Sequence, residues 1–316
     1  MSDAIALTST ESPRATEPQP SQVEPVRRAS PAPDASTGVV RPPRSAIRTI
    51  AGQSARAVAI TALAFVVFIV WLSGLVHARR QVGLQRRFQA ELASGAAPVS
   101  GEIPAGAPVA ILQVPRIGLD EVVVEGSRST QLLNGPGHLS GTPLPGQPGN
   151  AVVGGRRTSY GAPFGRLGSL HSGDRIRVTT GEGNTTYRVT GVAELTGTDA
   201  SFVQYRNDNR LTLFTSNSTW DPTGRLVVTA ALEGNALPAT ARSGDIDPAA
   251  LGLSGDRSAA PGMHGWLELL AAAALGAAYA ATRWSRGRTW LFFAPILVLL
   301  MWQLFQSLMR LLPGTM

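Results

Sequence analysis

Three apolar stretches leave this chain one place to build a soluble fold. Residues 57–76 run for 20 positions without a charge, and residues 263–282 and 289–308 form two more apolar blocks separated only by Arg283, Trp284, Ser285, Arg286, Gly287 and Arg288. At ~1.5 Å of rise per residue, 20 helical residues cover the ~30 Å hydrocarbon core of a bilayer. Each block therefore predicts a transmembrane α-helix, the last two paired as a hairpin with a basic turn. Short arginine-rich loops stay on the cytoplasmic side. A cytoplasmic turn puts the start of the hairpin and the end of the first span outside, so the region between them is extracytoplasmic in a multi-pass cell-membrane protein. The Arg-bearing N-terminal segment falls inside under the same arrangement. Arg79, Arg80, Arg86 and Arg87 argue the other way, but the short turn carries more weight because it chooses its side together with two spans. A cleaved signal peptide fits less well, since the first run lies far from the N-terminus and no small-residue cleavage pattern follows it.

The remaining sequence divides by composition. Residues 1–56, rich in Pro, Ser, Thr, Ala and Arg, bury too little apolar surface to offset ordering and predict a disordered cytoplasmic tail. Residues 77–109 and 233–262 read as linkers, leaving 110–232 as the folded domain. The net charge of +7 suggests nucleic acid at first sight, yet 110–232 holds 11 Arg against 9 Asp and Glu, too even a balance for a phosphate-tracking surface. Cysteine is absent, which excludes disulfides, thiolate metal sites and a thiol nucleophile. No zinc motif, nucleophile elbow or phosphate-binding glycine loop appears, and Asp199, Asp208 and Asp221 are spaced more like solvated turns than a calcium loop. No cofactor or metal is expected.

Within 110–232 short β-rich runs alternate with turn residues. Candidate strands are 110–114, 121–125, 150–154, 175–180, 185–193, 210–215 and 226–232, with helical turns at 129–133 and 164–170. Alternation through Arg175, Ile176, Arg177 and Val178, and again through Tyr187, Arg188 and Val189, marks strands with one buried face. Glu182 and Gly183 between them make a hairpin turn. The expectation is a mostly β barrel or sandwich with short helices.

Several blocks in this domain carry a more specific signal. Leu112-Gln-Val-Pro-Arg-Ile-Gly-Leu119, Gly135-Pro-Gly-His-Leu-Ser-Gly-Thr-Pro-Leu-Pro-Gly146 and Gly149-Asn-Ala-Val-Val-Gly-Gly-Arg-Arg-Thr-Ser-Tyr-Gly-Ala-Pro-Phe164 follow in order, and then Leu170-His-Ser-Gly-Asp-Arg-Ile176, Leu211-Thr-Leu-Phe-Thr-Ser216 and Arg225-Leu-Val-Val-Thr229. This succession resembles the sortase domain of actinobacterial class E and related sortases. The resemblance implies a sortase-type β-barrel and a site built from three residues. In that family a cysteine thiolate attacks a sorting signal in a secreted protein, and the acyl group passes to an amine of the cell wall or a pilin. The matching positions for the family's cysteine, arginine and histidine are Ser216, Arg225 and Arg156, so only the arginine is kept.

The substitutions bear on the chemistry. A serine hydroxyl without a positioned base is a poor nucleophile. Arginine stays protonated and cannot serve as that base. A pair of fixed cations at Arg156 and Arg225 suits an anion or carboxylate better than proton transfer. The first expectation is thus an inactive sortase-like module that binds a secreted- or surface-protein tail or a cell-envelope component. A divergent transpeptidase or hydrolase using Ser216, with His138 as a surrogate base, is the alternative. A structural membrane protein whose helices recruit partners is the third. For substrate contact the candidates are Thr215, Trp220 and Tyr160, although Tyr160 and Phe164 serve equally well as barrel core.

Overall fold

The computed structural model describes residues 59–197, 199–204, 208–219, 223–238, 244–252 and 254–316. The expected tail 1–56, Trp220 and Asp221 lie outside these residues. Eight strands run through the middle of the chain: β1 (Pro108–Val114), β2 (Leu119–Glu125), β3 (Gly137–His138), β4 (Asn150–Gly154), β5 (Arg175–Thr180), β6 (Gly183–Thr196), β7 (Arg210–Ser216) and β8 (Gly224–Glu233). They close into a barrel in the order β1-β2-β3-β4-β7-β8-β6-β5. The Arg175–Thr180 run alternates exposed and buried as its sequence dictates, and it turns back antiparallel onto β6 with Thr180 opposite Gly183. The helical turns are 3-10 segments at Gln131–Leu133 and Leu167–Ser169.

Two apolar layers explain why β4, β7 and β8 are buried on both faces. Inside the barrel, Leu112, Val153, Phe164, Leu213, Leu226 and Val228 belong to one large cluster. Their strand neighbours Val152, Phe214 and Val227 face the other way and pack with Phe202, Ala250, Ile246 and Leu251. Residues 244–252, which composition marks as linker, therefore lie against the outside of the sheet. Ile246, Ala250 and Leu251 bury there what the small polar residues around them conceal in a sequence reading.

The helices correct one expectation. Two helices among the described residues, not three, are long and apolar enough to cross a membrane: Ala260–Arg283 and Gly287–Leu311. The first apolar run is helical from residue 59, but its α-helix α1 (59–67) passes into a π turn at Phe68–Leu72 and continues as α2 (Ser73–Ser94). The helical backbone continues unbroken through that turn, so the apolar stretch leads directly into α2, which carries Arg79, Arg80, Arg86 and Arg87 alongside β1 and β2. In the hairpin, α3 (Ala260–Arg283) packs on α4 (Arg286–Leu311). The far end of α4 returns to the barrel, where Phe305 and Met309 cluster with Phe68, Leu133 and Tyr160.

Candidate functional site

Adjacent strands bring side by side the three positions that the sequence resemblance singles out, Arg156, Ser216 and Arg225. In the parallel β4–β7 pair Gly154 lies opposite Phe214, so Arg156, two residues past β4, follows the line to Ser216 at the end of β7. On the other side Ser216 is the direct antiparallel partner of Arg225 on β8. Local sequence makes this approach possible. A Cβ at Gly154 would fall 2.5 Å from the Phe214 ring and one at Gly155 2.5 Å from the Phe164 ring, so paired glycines are what let both aromatics close under the site.

Ser216 is fully buried, and among the described residues its hydroxyl donates to backbone carbonyls: that of Ser218 at 3.0 Å and that of Thr315 at 3.1 Å. One hydroxyl proton serves one of these at a time. Among the described residues no imidazole or carboxylate bonds to it. Thr215, also buried, donates to the carbonyl oxygens of Gly155 (2.8 Å) and Thr315 (3.3 Å).

Arg156 has no solvent exposure. Its Nη1 donates to Ser159 Oγ (2.9 Å) and the Met316 oxygen (3.4 Å), and its Nη2 to Ser129 Oγ (3.1 Å), Ser129 O (3.4 Å) and Met309 O (3.3 Å). Nε has no partner, and among the described residues no Asp or Glu forms an ion pair with this guanidinium. Burial in the interior pulls its pKa down to about 10, with the nearby Tyr160 opposing the shift. It nevertheless stays a cation at neutral pH and cannot accept a proton from Ser216. Arg225 is likewise buried, donating to the carbonyls of Leu251 (2.8 Å), Gly197 (2.7 Å) and Asp199 (3.4 Å) and lying over the Phe202 ring at 5.5 Å. Burial lowers its pKa, opposed by Asp199.

The other sequence candidates separate from this cluster. His138 is buried on β3, Nδ1 bonded to Glu125 Oε2 at 2.8 Å and Nε2 within reach of Pro143 O (2.9 Å) and Thr142 Oγ1 (3.1 Å). A carbonyl only accepts, so Nε2 carries a hydrogen. His138 pairs with Val153, and Val153 with Leu213. Two strand spacings, ~10 Å, therefore separate it from β7, at a level three residues short of Ser216. Tyr160 is core: it belongs to the barrel–helix cluster, its hydroxyl donates to Gln306 Oε1 (3.3 Å), and Arg156 and Arg80 lie over its ring at 5.6 and 5.8 Å. Phe164 packs inside the barrel.

The sequence reading missed what lies against Ser216. The segment after α4 enters the site, with Thr315 fully buried. Its carbonyl oxygen accepts from the Arg157 N–H (3.0 Å) as well as from Ser216 and Thr215. Its N–H (3.0 Å) and hydroxyl (2.8 Å) both donate to Gly252 O. The available signal was Pro313-Gly314-Thr315 directly behind an apolar helix, together with Gly252 and Gly255 in the small-residue stretch.

Comparison with known proteins bears on what this arrangement is. The family model of the sortase domain matches residues 112–233. The chain is 29% identical over 123 residues to sortase A of Bacillus anthracis, covering 39% of this chain and 59% of that protein. It is 27% identical over 106 residues to sortase D of Bacillus subtilis (strain 168), covering 34% and 52%. The match thus spans between half and three fifths of those relatives' length. Among solved structures, that of sortase E from Streptomyces avermitilis is 33% identical, with 42% of this chain and 91% of that chain covered and a TM-score of 0.37.

Proposed function

Because residues 112–233 form a sortase domain, we propose that this chain is a membrane-held, extracytoplasmic sortase-like protein whose transpeptidase chemistry is disarmed and whose cleft binds a segment of a secreted or surface protein or a cell-envelope component. The observation that carries the reading is the state of Ser216: among the described residues its hydroxyl meets only carbonyl oxygens, and Arg156, which the resemblance matches to the family's histidine, is a buried cation. A base is what a serine needs to become a nucleophile. The motif blocks align the domain with class E-like sortases of actinobacteria.

Anchoring rests on α3 and α4. Both α3's start and α4's end lie by the barrel, since Asp256 N bonds to Arg310 O, so the turn bearing Arg283 and Arg288 sits at the far end of the hairpin. A cytoplasmic basic turn then leaves the barrel outside. The convergence of two donors, Arg157 N–H and Thr215 Oγ1, on the peptide carbonyl that Ser216 Oγ also meets favours a second reading, divergent acyl transfer through Ser216. Treating the chain in nanodiscs, both whole and without residues 313–316 that lie against Ser216, with a fluorophosphonate probe decides between them by mass spectrometry. The proposal expects no adduct on Ser216 of folded protein; an adduct that disappears in Ser216→Ala establishes the second reading.

A further inference from the structure

We propose that residues 313–316 are a built-in peptide occupant of the cleft beside Ser216, so that the site is closed in cis and opens to another peptide only when this segment withdraws. The inference rests on the reading of that cleft as a peptide site and adds how access to it is controlled.

Every backbone and side-chain polar atom of Thr315 is taken up by the cleft. Its carbonyl faces Arg157 N, Ser216 Oγ and Thr215 Oγ1, and its amide and hydroxyl face Gly252 O. Beyond it the Met316 oxygen accepts from Ser159 Oγ (3.2 Å) and from Arg156, while Met316 N closes a turn on Pro313 O (3.2 Å). Ahead of it Ser129 Oγ donates to Leu312 O at 3.1 Å. Backbone bonds from several elements converging on one short segment resemble peptide recognition more than incidental packing.

The receiving surface is cut to fit. A Cβ at Gly252, whose φ is +87°, would lie 2.2 Å from Thr315 Cγ2, and one at Gly255 would lie 1.8 Å from Leu311 O. On the segment itself, a Cβ at Gly314 would press to 3.2 Å on the Ser129 backbone. Close approach thus depends on glycine on both partners. An adjoining cleft of about 310 Å³, lined in part by Arg128, Ser129, Gly255 and Asp256, remains open beside the seated segment.

The occupant is tethered to α4, which is held at the barrel by Phe305 and Met309. A short tether gives an effective concentration on the order of millimolar. A free peptide binding at ~10–100 μM is then weakened about tenfold or more by the cis segment.

The test uses the full chain in nanodiscs and a fluorescent hexapeptide of the sequence of residues 311–316. By fluorescence polarisation the variant lacking 313–316 is expected to bind it at least tenfold more tightly than wild type, and Gly252→Val, which pushes Thr315 out, to move in the same direction. Equal affinity in all three overturns the proposal. Since the chain has no cysteine, a second measurement stands independent of the deletion's folding. Thr315→Cys is expected to react with maleimide at least tenfold more slowly than the exposed control Ser169→Cys, and Thr315→Cys with Gly252→Val to react at the control rate. Equal rates for the two single variants overturn cis occupancy. If the cis segment behaves as expected while no secreted-protein peptide binds the deleted variant, the assignment of the cleft to surface-protein segments fails and the cis contact stands.

Discussion

Replacing Arg156 by methionine separates what this residue does for the site from what it does for the fold. Full burial brings its pKa down to about 10, and each pH unit of such displacement corresponds to ~1.4 kcal/mol. Holding the charge inside therefore costs on the order of 3 kcal/mol at neutral pH. Against this stand two well-formed hydrogen bonds, to Ser159 Oγ at 2.9 Å and Ser129 Oγ at 3.1 Å, worth ~1.5 kcal/mol each because the donor is charged. The three contacts at 3.3 to 3.4 Å add less. Cost and gain nearly cancel, and Met preserves most of the buried stem volume. Arg156→Met is thus expected to change unfolding free energy by no more than ~1 kcal/mol, a Tm shift within ~4 °C, measured by thermal unfolding of the full chain in one detergent. The pH dependence has a definite sign. Because the folded value is depressed, the native state sheds this proton near pH 10 while the unfolded chain keeps it to higher pH, so this group's contribution rises above about pH 10 and is absent at pH 7. Wild type should gain on Arg156→Met as pH climbs through that range. A loss of 3 kcal/mol or more at pH 7 in the variant would refute the reasoning.

Other perturbations follow from the same contacts. Tyr187→Phe removes the phenolic oxygen that accepts from Gly146 N at 2.6 Å, which should cost ~1–3 kcal/mol by denaturant titration; an unchanged midpoint would show that water replaces it. His138→Ala takes a partner from a carboxylate only 2% exposed and is expected to destabilise by ~3 kcal/mol, while leaving fluorophosphonate labelling as in wild type. A labelling change would connect His138 to Ser216 after all. Gly155→Ala drives a methyl into Phe164 and should cost ~1–3 kcal/mol, with near-ultraviolet circular dichroism reporting the disturbed core.

The barrel was legible because its strands obey simple rules. Arg175–Thr180 alternates, and the runs ending at Gly154 and Ser216 are apolar because layers cover both faces. β3 escaped notice because a strand of two residues, Gly137–His138, has no period to read. Arg156, Ser216 and Arg225 are singled out by motif position alone, and the strand register is what places them on neighbouring strands. Tyr160 could not be assigned from sequence, since only the return of α4 to the barrel turns it into core. The same return seats Thr315 against Ser216, a contact spanning about a hundred residues that no local pattern encodes. The first apolar run does not stand out as a third long apolar helix because its helix runs on through Phe68–Leu72 into the arginine-bearing α2, a continuation that composition does not report.

The central claim is that the sortase domain lost its chemistry at Ser216 and Arg156 while keeping a peptide cleft. It is tested by offering a sorting-peptide library and an amine acceptor to the wild-type chain and to the Ser216→Cys, Arg156→His double variant, each with and without residues 313–316, with mass spectrometry as readout. The account predicts silence from wild type in both forms and a peptide–amine product from the double variant, more of it when residues 313–316 are absent. Product from wild type, abolished by Ser216→Ala, would contradict it.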